Sequence, residues 1–181
     1  MSLVTQYQSS WPNDFIKIRK YLETGITYYQ SIEHTGSTSV PGMVAKPIID
    51  IIIVVQPGKM SAMINELSQL GYQHQGDLGI PGREAFDYLP AEIQLPTHHL
   101  YTCYPDAKQL LGHLAFRLFM RESSEWREKL STLKLECDKK YNSNRQQYMD
   151  GKKEMVEHII KLAREKHPNP MPYTIQDQRS D

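Results

Sequence analysis

Gly36-Ser37-Thr38-Ser39 and Asp50 are the residues whose types and spacing could do chemistry in this chain. A glycine lets backbone N–H groups turn outward, and three consecutive hydroxyls can hydrogen-bond phosphate oxygens. The tetrapeptide also reads as an ordinary strand-to-helix turn, its hydroxyls capping backbone donors and Pro41 opening a first helical turn. Position favours the phosphate reading. Twelve residues separate Ser37 from Asp50, and Asp50 opens a strand expected to lie beside the one entering the turn. Turn and carboxylate then share one cleft. A lone acid inside the apolar run Ile48 to Val55 needs such a reason, because an unpaired buried carboxylate is costly.

The elements that must position these residues follow from periodicity. Ser9 and Ser10 before Trp11-Pro12 predict a helix start, with Phe15, Ile18, Leu22 and Ile26 on its apolar face. Residues 28 to 34 read as a short strand, and 47 to 55 as a central strand covered on both faces. Met60, Met63, Ile64 and Leu67 predict a helix ending at Gly71. From 72 to 104, Gly76, Gly79, Pro81, Gly82, Pro90 and Pro96 punctuate short pieces expected to form antiparallel strands. Beyond Pro105 helices dominate: Leu110, Leu114 and Leu118, then Trp126, Leu130, Leu133, Cys137 and Tyr141, then a third from about Asp150 to Lys166. The reading is a single domain over 1–167, its helical section about 106–167, and a polar, proline-rich tail at 168–181.

Lys plus Arg and Asp plus Glu each total 21, so the formal charge is zero. No global field steers the chain to nucleic acid, and any anion site must be local. Two cysteines without metal-ligand spacing argue against zinc or a disulfide framework and suit a cytoplasmic setting. No leader or membrane-spanning pattern is read, the longest apolar run being broken by Asp50.

The block "EHTGSTSVPGMVAKPIIDIIIVV" resembles the signature of the GrpB family, small proteins of the nucleotidyltransferase fold of the DNA polymerase β superfamily. The likeness continues through "LGY" at 70 to 72, "GREAF" at 82 to 86, "HHL" at 98 to 100, "FRLFMR" at 116 to 121 and "YMDGKKEMVEHIIKLA" at 148 to 163. It implies an α+β fold, a mixed sheet flanked by helices with a C-terminal helical section and a helix between turn and acid. It also implies a nucleotide or phosphorylated small molecule at the turn, Mg²⁺ or Mn²⁺ at Asp50, and metal-dependent nucleotidyl transfer with Asp50 as the catalytic acid. The alternative is a non-catalytic phosphate-ligand module; relatives fused to dephospho-coenzyme A kinase suggest a link to coenzyme A metabolism. The superfamily's Asp-x-Asp is incomplete, since Ile52 stands where the second acid belongs. Leu118 and Tyr101 also depart from the usual family residues. Restoring the acid by Ile52→Asp is expected to strengthen metal binding.

Other polar residues complete the candidate set. Lys46 could reach a phosphate or pair with Asp50 or Glu33. Arg83 follows a glycine loop that could fold over the cleft, and Arg117 and Arg121, four apart on one helix face, could bind an anion. Glu84, Asp87 and Glu92 are candidates for a further acid, with at most one of the first two on the cleft face. His98 and His99 alternate, so one can face the cleft; His99 is assigned to the metal with Asp50. Lys134 and Lys152 are ordinary helix decoration unless the fold carries them over the turn.

Overall fold

Six of the seven residues of β2 (Ile49–Val55) are β-branched and apolar, and the strand is buried on both faces. In this computed structural model, which describes residues 2–141 and 144–172, β2 sits inside a five-stranded sheet of order β1-β2-β5-β4-β3. The others are β1 (Tyr29–Thr35), β3 (Tyr72–His74), β4 (Arg83–Tyr88) and β5 (His98–Cys103). β2 pairs antiparallel with β1, setting Thr35 opposite Asp50, and parallel with β5, setting Asp50 beside His99. The remaining pairs are antiparallel. The expected mixed α+β sheet is therefore present: β5 belongs to the expected antiparallel unit through β4 and joins β2 in parallel.

Alternation along β2 divides the core. Ile49, Ile51, Ile53 and Val55 pack against α1 (Trp11–Leu22) and α2 (Met60–Gln69) through Trp11, Ile18, Leu22, Met63 and Leu67. Pro12 starts α1 where its missing N–H costs nothing. On the opposite face Ile52 and Val54 meet Cys103 and then Leu110 and Leu114 of α3 (Lys108–Glu122). α4 (Ser124–Lys140) and α5 (Arg145–Lys166) close a third layer with α3 around Ala115, Met120, Leu130, Ile159 and Ala163. α5 begins five residues before the expected Asp150, because the Asn144 side chain caps it by accepting the Gln147 N–H. Residues 173–181 of the expected tail lie outside the described residues.

Between turn and acid there is no α-helix. Ser37–Ser39 make one 3-10 turn, and Val40 and Met43 then bury themselves in the helical layer. Among the described residues no helix is long and apolar enough to cross a membrane.

Ile52 shares a face with Asp50, yet it is 3% exposed beneath α3. A carboxylate there would sit in an apolar cluster, out of reach of the cleft, so the expected gain in metal binding does not follow. Ile52→Asp should cost at least about 3 kcal/mol from lost packing and an unpaired buried acid. Urea denaturation at neutral pH reads this directly, and a loss under about 1 kcal/mol would contradict the α3 cover.

Candidate anion-binding cleft

β1 delivers Gly36 at φ +68°, a left-handed conformation that residues with side chains rarely adopt. A Cβ at this position would collide with Asp50 Oδ2. The glycine thus lets the turn lie directly on the carboxylate. Within the turn the Ser39 and Val40 N–H groups donate to Gly36 O and Ser37 O.

The three hydroxyls do not act together. Thr38 Oγ1 is 3.3 Å from Ile48 O and 3.0 Å from His34 Nε2, and Ser39 Oγ donates to Gly36 O at 2.7 Å. Both Thr38 and Ser39 are buried, so their expected role as phosphate donors is replaced by holding the turn. Ser37 and Thr38 both line the cleft, but Thr38 is 1% exposed, and it is the Ser37 Oγ that lies 2.6 Å from Lys134 Nζ.

Asp50 Oδ1 lies 2.9 Å from His99 Nδ1 across the parallel register, with the two side chains 33% and 38% exposed. His98 faces the other way, its Nδ1–H donating to Pro96 O at 2.7 Å and its Nε2 accepting from Tyr72 OH at 2.8 Å. Of the candidate further acids, Glu84 meets His74 at 2.6 Å on the opposite face, while Asp87 and Glu92 are exposed and do not line the cleft.

Around Asp50 the walls come from the turn, the 45–48 segment, β5, α4 and α5, enclosing about 310 Å³. Four cations line it, Lys46, Lys134, Arg145 and Lys152, against one carboxylate, Asp50. Among the described residues none of the four makes an ion pair. Lys46 pairs with neither Asp50 nor Glu33 and lies over the Tyr148 ring at 4.6 Å, with Lys152 5.6 Å from the same ring. Lys134 is 3% exposed and also donates to Val44 O at 2.8 Å. Burial, with repulsion from Lys152, pushes its ammonium down to about 7, against attraction from Asp50. Burial lowers Lys152 and Lys46 as well.

Arg83, Arg117 and Arg121 take other positions than expected. Arg83 stacks 4.5 Å over the Tyr101 ring and donates to Asp77 O, backing the cleft wall without lining it. Arg117 donates at 2.8 Å to buried Glu33 and to His34 O, and Arg121 donates to Ser39 O at 2.8 and 3.1 Å. These two brace the rear of the turn. They border a separate cavity of about 530 Å³, together with His34, which stacks on Phe15 and which burial drives to about 3. There Arg19 meets Glu23, and Arg127 donates to Met120 O and Arg121 O. A carbonyl or carboxylate therefore already occupies each of its four arginines, whereas the cleft's cations converge without an acid of their own.

Lys134, Arg145, Tyr148 and Lys152 are the cleft residues sequence reasoning did not select. One signal was available. Leu130, Lys134 and Cys137 are spaced four and three apart on the buried face of α4, so a lysine occupies a core position.

The two-layered cover over a mixed sheet, with a glycine-serine turn set on a strand acid, defines the class: an α+β protein with a cationic cleft at the N-terminal ends of two inner strands, β2 and β5. Residues 3–162 match the family described as GrpB protein, and the chain belongs to that family. It is 28% identical to the glutamate-rich protein GrpB of Alkalihalophilus pseudofirmus, over 87% of this chain and 93% of the relative. With UPF0157 protein YqkA of Bacillus subtilis it shares 32% identity over 70% of its own length, spanning 36% of that protein. The crystal structure of conserved protein GrpB from Enterococcus faecalis superposes with a TM-score of 0.80 at 32% identity, covering 91% of this chain and 98% of that one.

Asp50 and His99 do not fit the Mg²⁺ or Mn²⁺ that the resemblance implies. Asp50 Oδ1 is engaged by His99, and Oδ2 is packed against Gly36. Among the described residues no three His, Cys, Asp or Glu side chains come together, while hard divalent ions take six or more oxygens, and four cations stand close by.

Lys134 generates a pH test. Between about 7 and its unfolded value near 10.5, the unfolded chain holds the proton and the folded chain does not. The unfolded state then binds more protons, so stability rises with pH, by up to about 1.4 kcal/mol per pH unit from this residue. Lys134→Met should remove that rise while leaving stability at pH 7 equal or higher. Chemical denaturation of both proteins from pH 6.5 to 10 checks it; parallel curves would contradict a buried, proton-shedding lysine.

Proposed function

We propose that the protein binds a small phosphorylated molecule, a nucleotide or a phosphate ester, in the Asp50 cleft and needs no metal ion to do so. One observation carries the reading: a chain with zero formal charge gathers four cations and one carboxylate around a single glycine-serine turn. Keeping unpaired like charges together costs free energy, which a bound polyanion offsets. Lys46, Arg145 and Lys152 supply charge at the open side, and the Ser37 hydroxyl supplies a directional contact. A shape selective for a base or sugar is supported by Tyr101 and Tyr148, whose rings border the same space. Metal-dependent nucleotidyl transfer is the weaker reading, given the donor set at Asp50. A cytoplasmic setting is proposed from the two free, buried thiols, Cys103 and Cys137.

Asp50 decides between the readings. In metal-free buffer, Asp50→Asn removes the one negative group facing the ligand, so it should tighten pyrophosphate binding about threefold or more and change stability by under about 1 kcal/mol. Lys152→Gln should weaken binding. Calorimetry with pyrophosphate, and then with a panel of nucleotides and coenzyme A precursors, is the measurement. Binding seen only with Mg²⁺ or Mn²⁺ and lost in Asp50→Asn would replace this reading with the metal-dependent one.

A further inference from the structure

Lys134 stands out because a buried lysine ordinarily meets an acid. The acid four residues on, Asp138, is turned away and accepts the Leu3 N–H at 3.0 Å. Lys134 Nζ instead sits between two oxygens, Val44 O at 2.8 Å and Ser37 Oγ at 2.6 Å. Both Lys134 and Ser37 line the cleft. We propose that Ser37 and Lys134 are a nucleophile and its general base, giving the cleft acyl-transfer activity toward esters or thioesters that carry a phosphate group.

The geometry suits a neutral amine. One N–H donates to Val44 O and holds the side chain, so that once the amine is neutral its lone pair can accept from the Ser37 hydroxyl 2.6 Å away. Nucleophile, base and an orienting third group within hydrogen-bond reach are what serine activation requires. Burial, which takes the ammonium down to about 7, keeps a large neutral fraction at physiological pH. The charged and titratable groups facing the pair are Asp50 on β2, His99 and Tyr101 on β5, Lys46, and Arg145, Tyr148 and Lys152 on α5.

The step balances within these groups. Ser37 Oγ bonds to the acyl carbon as its proton passes to Lys134 Nζ. The carbon–oxygen or carbon–sulfur bond to the leaving group then breaks, and the Lys134 ammonium returns the proton to the departing alkoxide or thiolate. Water repeats the sequence on the acyl-serine, releasing the carboxylic acid. The substrate's phosphate rests on the anion-binding reading; the serine chemistry does not.

An uncharged fluorophosphonate–biotin separates the two, because it forms a P–O bond at an activated serine and expels fluoride without needing a phosphate subsite. Peptide mass mapping should find the label on Ser37, with a rate that rises as pH passes through about 7. Ser37→Ala should abolish the label. Lys134→Met and Lys134→Arg should slow it roughly 100-fold or more, since neither side chain can accept the proton. Thermal melts establish that the variants fold, and the wild-type pH profile stands without them. An unlabelled Ser37, a rate flat across pH 6 to 8.5, or folded Lys134 variants labelled at the wild-type rate would each overturn the proposal. Pyrophosphate titration of the same wild-type protein reports separately on the anion site.

Discussion

The buried ion pair between Glu33 and Arg117 ties the sheet to the helical layer, and the placement of the cleft depends on it. Glu33 is 0% exposed, so an unpaired carboxylate there would be untenable. Arg117 on α3 meets it at 2.8 Å and uses another guanidinium nitrogen on His34 O, while Arg121, one helical turn on, takes Ser39 O. The two arginines grip carbonyls on either side of Gly36–Thr38. An apolar pair of similar volume could fill the same space, but it would not fix which turn of α3 lies over the end of β1. With α3 fixed, α4 and α5 bring Lys134 and Lys152 over a turn about a hundred residues earlier in the chain or more.

Electrostatics then divides the turn into two sides. Behind it, burial holds His34 neutral against Phe15 and Thr38, and each arginine has a carbonyl or carboxylate. In front, burial acts on lysines that have no acid of their own, and each is pushed toward its neutral form. The same low-dielectric surroundings make a bound anion's attraction stronger than it would be on the open surface. The larger cavity is thus the satisfied one, and the smaller cleft is the one whose charges call for a ligand.

What the sequence made legible is what is local. β-Branched runs, glycine breaks and helical stripes located β2, α1, α2 and the helical section, and the short spacing from turn to Asp50 placed them together. Period two set His98 and His99 on opposite faces, and the parallel register beside Asp50 makes His99 the one on the cleft side. The Thr38 and Ser39 hydroxyls and the missing helix after them were misread locally, and the other misreadings concern distant partners. Arg117 and Arg121 share a helix face whether they meet a ligand or Glu33 and Ser39, and only the packing of α3 chooses. Lys134 looked like surface decoration because stripe counting gave weight to Leu133 beside it; the position at Leu130 plus four is the buried one. The parallel register of β5 was hidden because a Gly- and Pro-rich stretch resembles hairpin connections whichever strand follows.

The incomplete acid motif has a physical counterpart in the helical layer. In the nucleotidyltransferase pattern two strand carboxylates hold a divalent ion, and metal and protein charges roughly cancel before the phosphates arrive. Here Ile52 leaves one carboxylate, and four cations from the 45–48 segment, α4 and α5 stand in the space, a formal balance of four minus one when all are protonated. Lys134 makes that balance adjustable, because burial brings its ammonium down to about 7. On the proposed reading, a polyanion arriving at the open side would draw the proton back and favour the charged, ligand-holding state. An acyl compound presenting its carbon to Ser37 would meet the amine instead. On the two proposals together, the residue that neutralises charge and the residue that moves a proton would be the same lysine, with pH and the ligand's charge determining which role it takes.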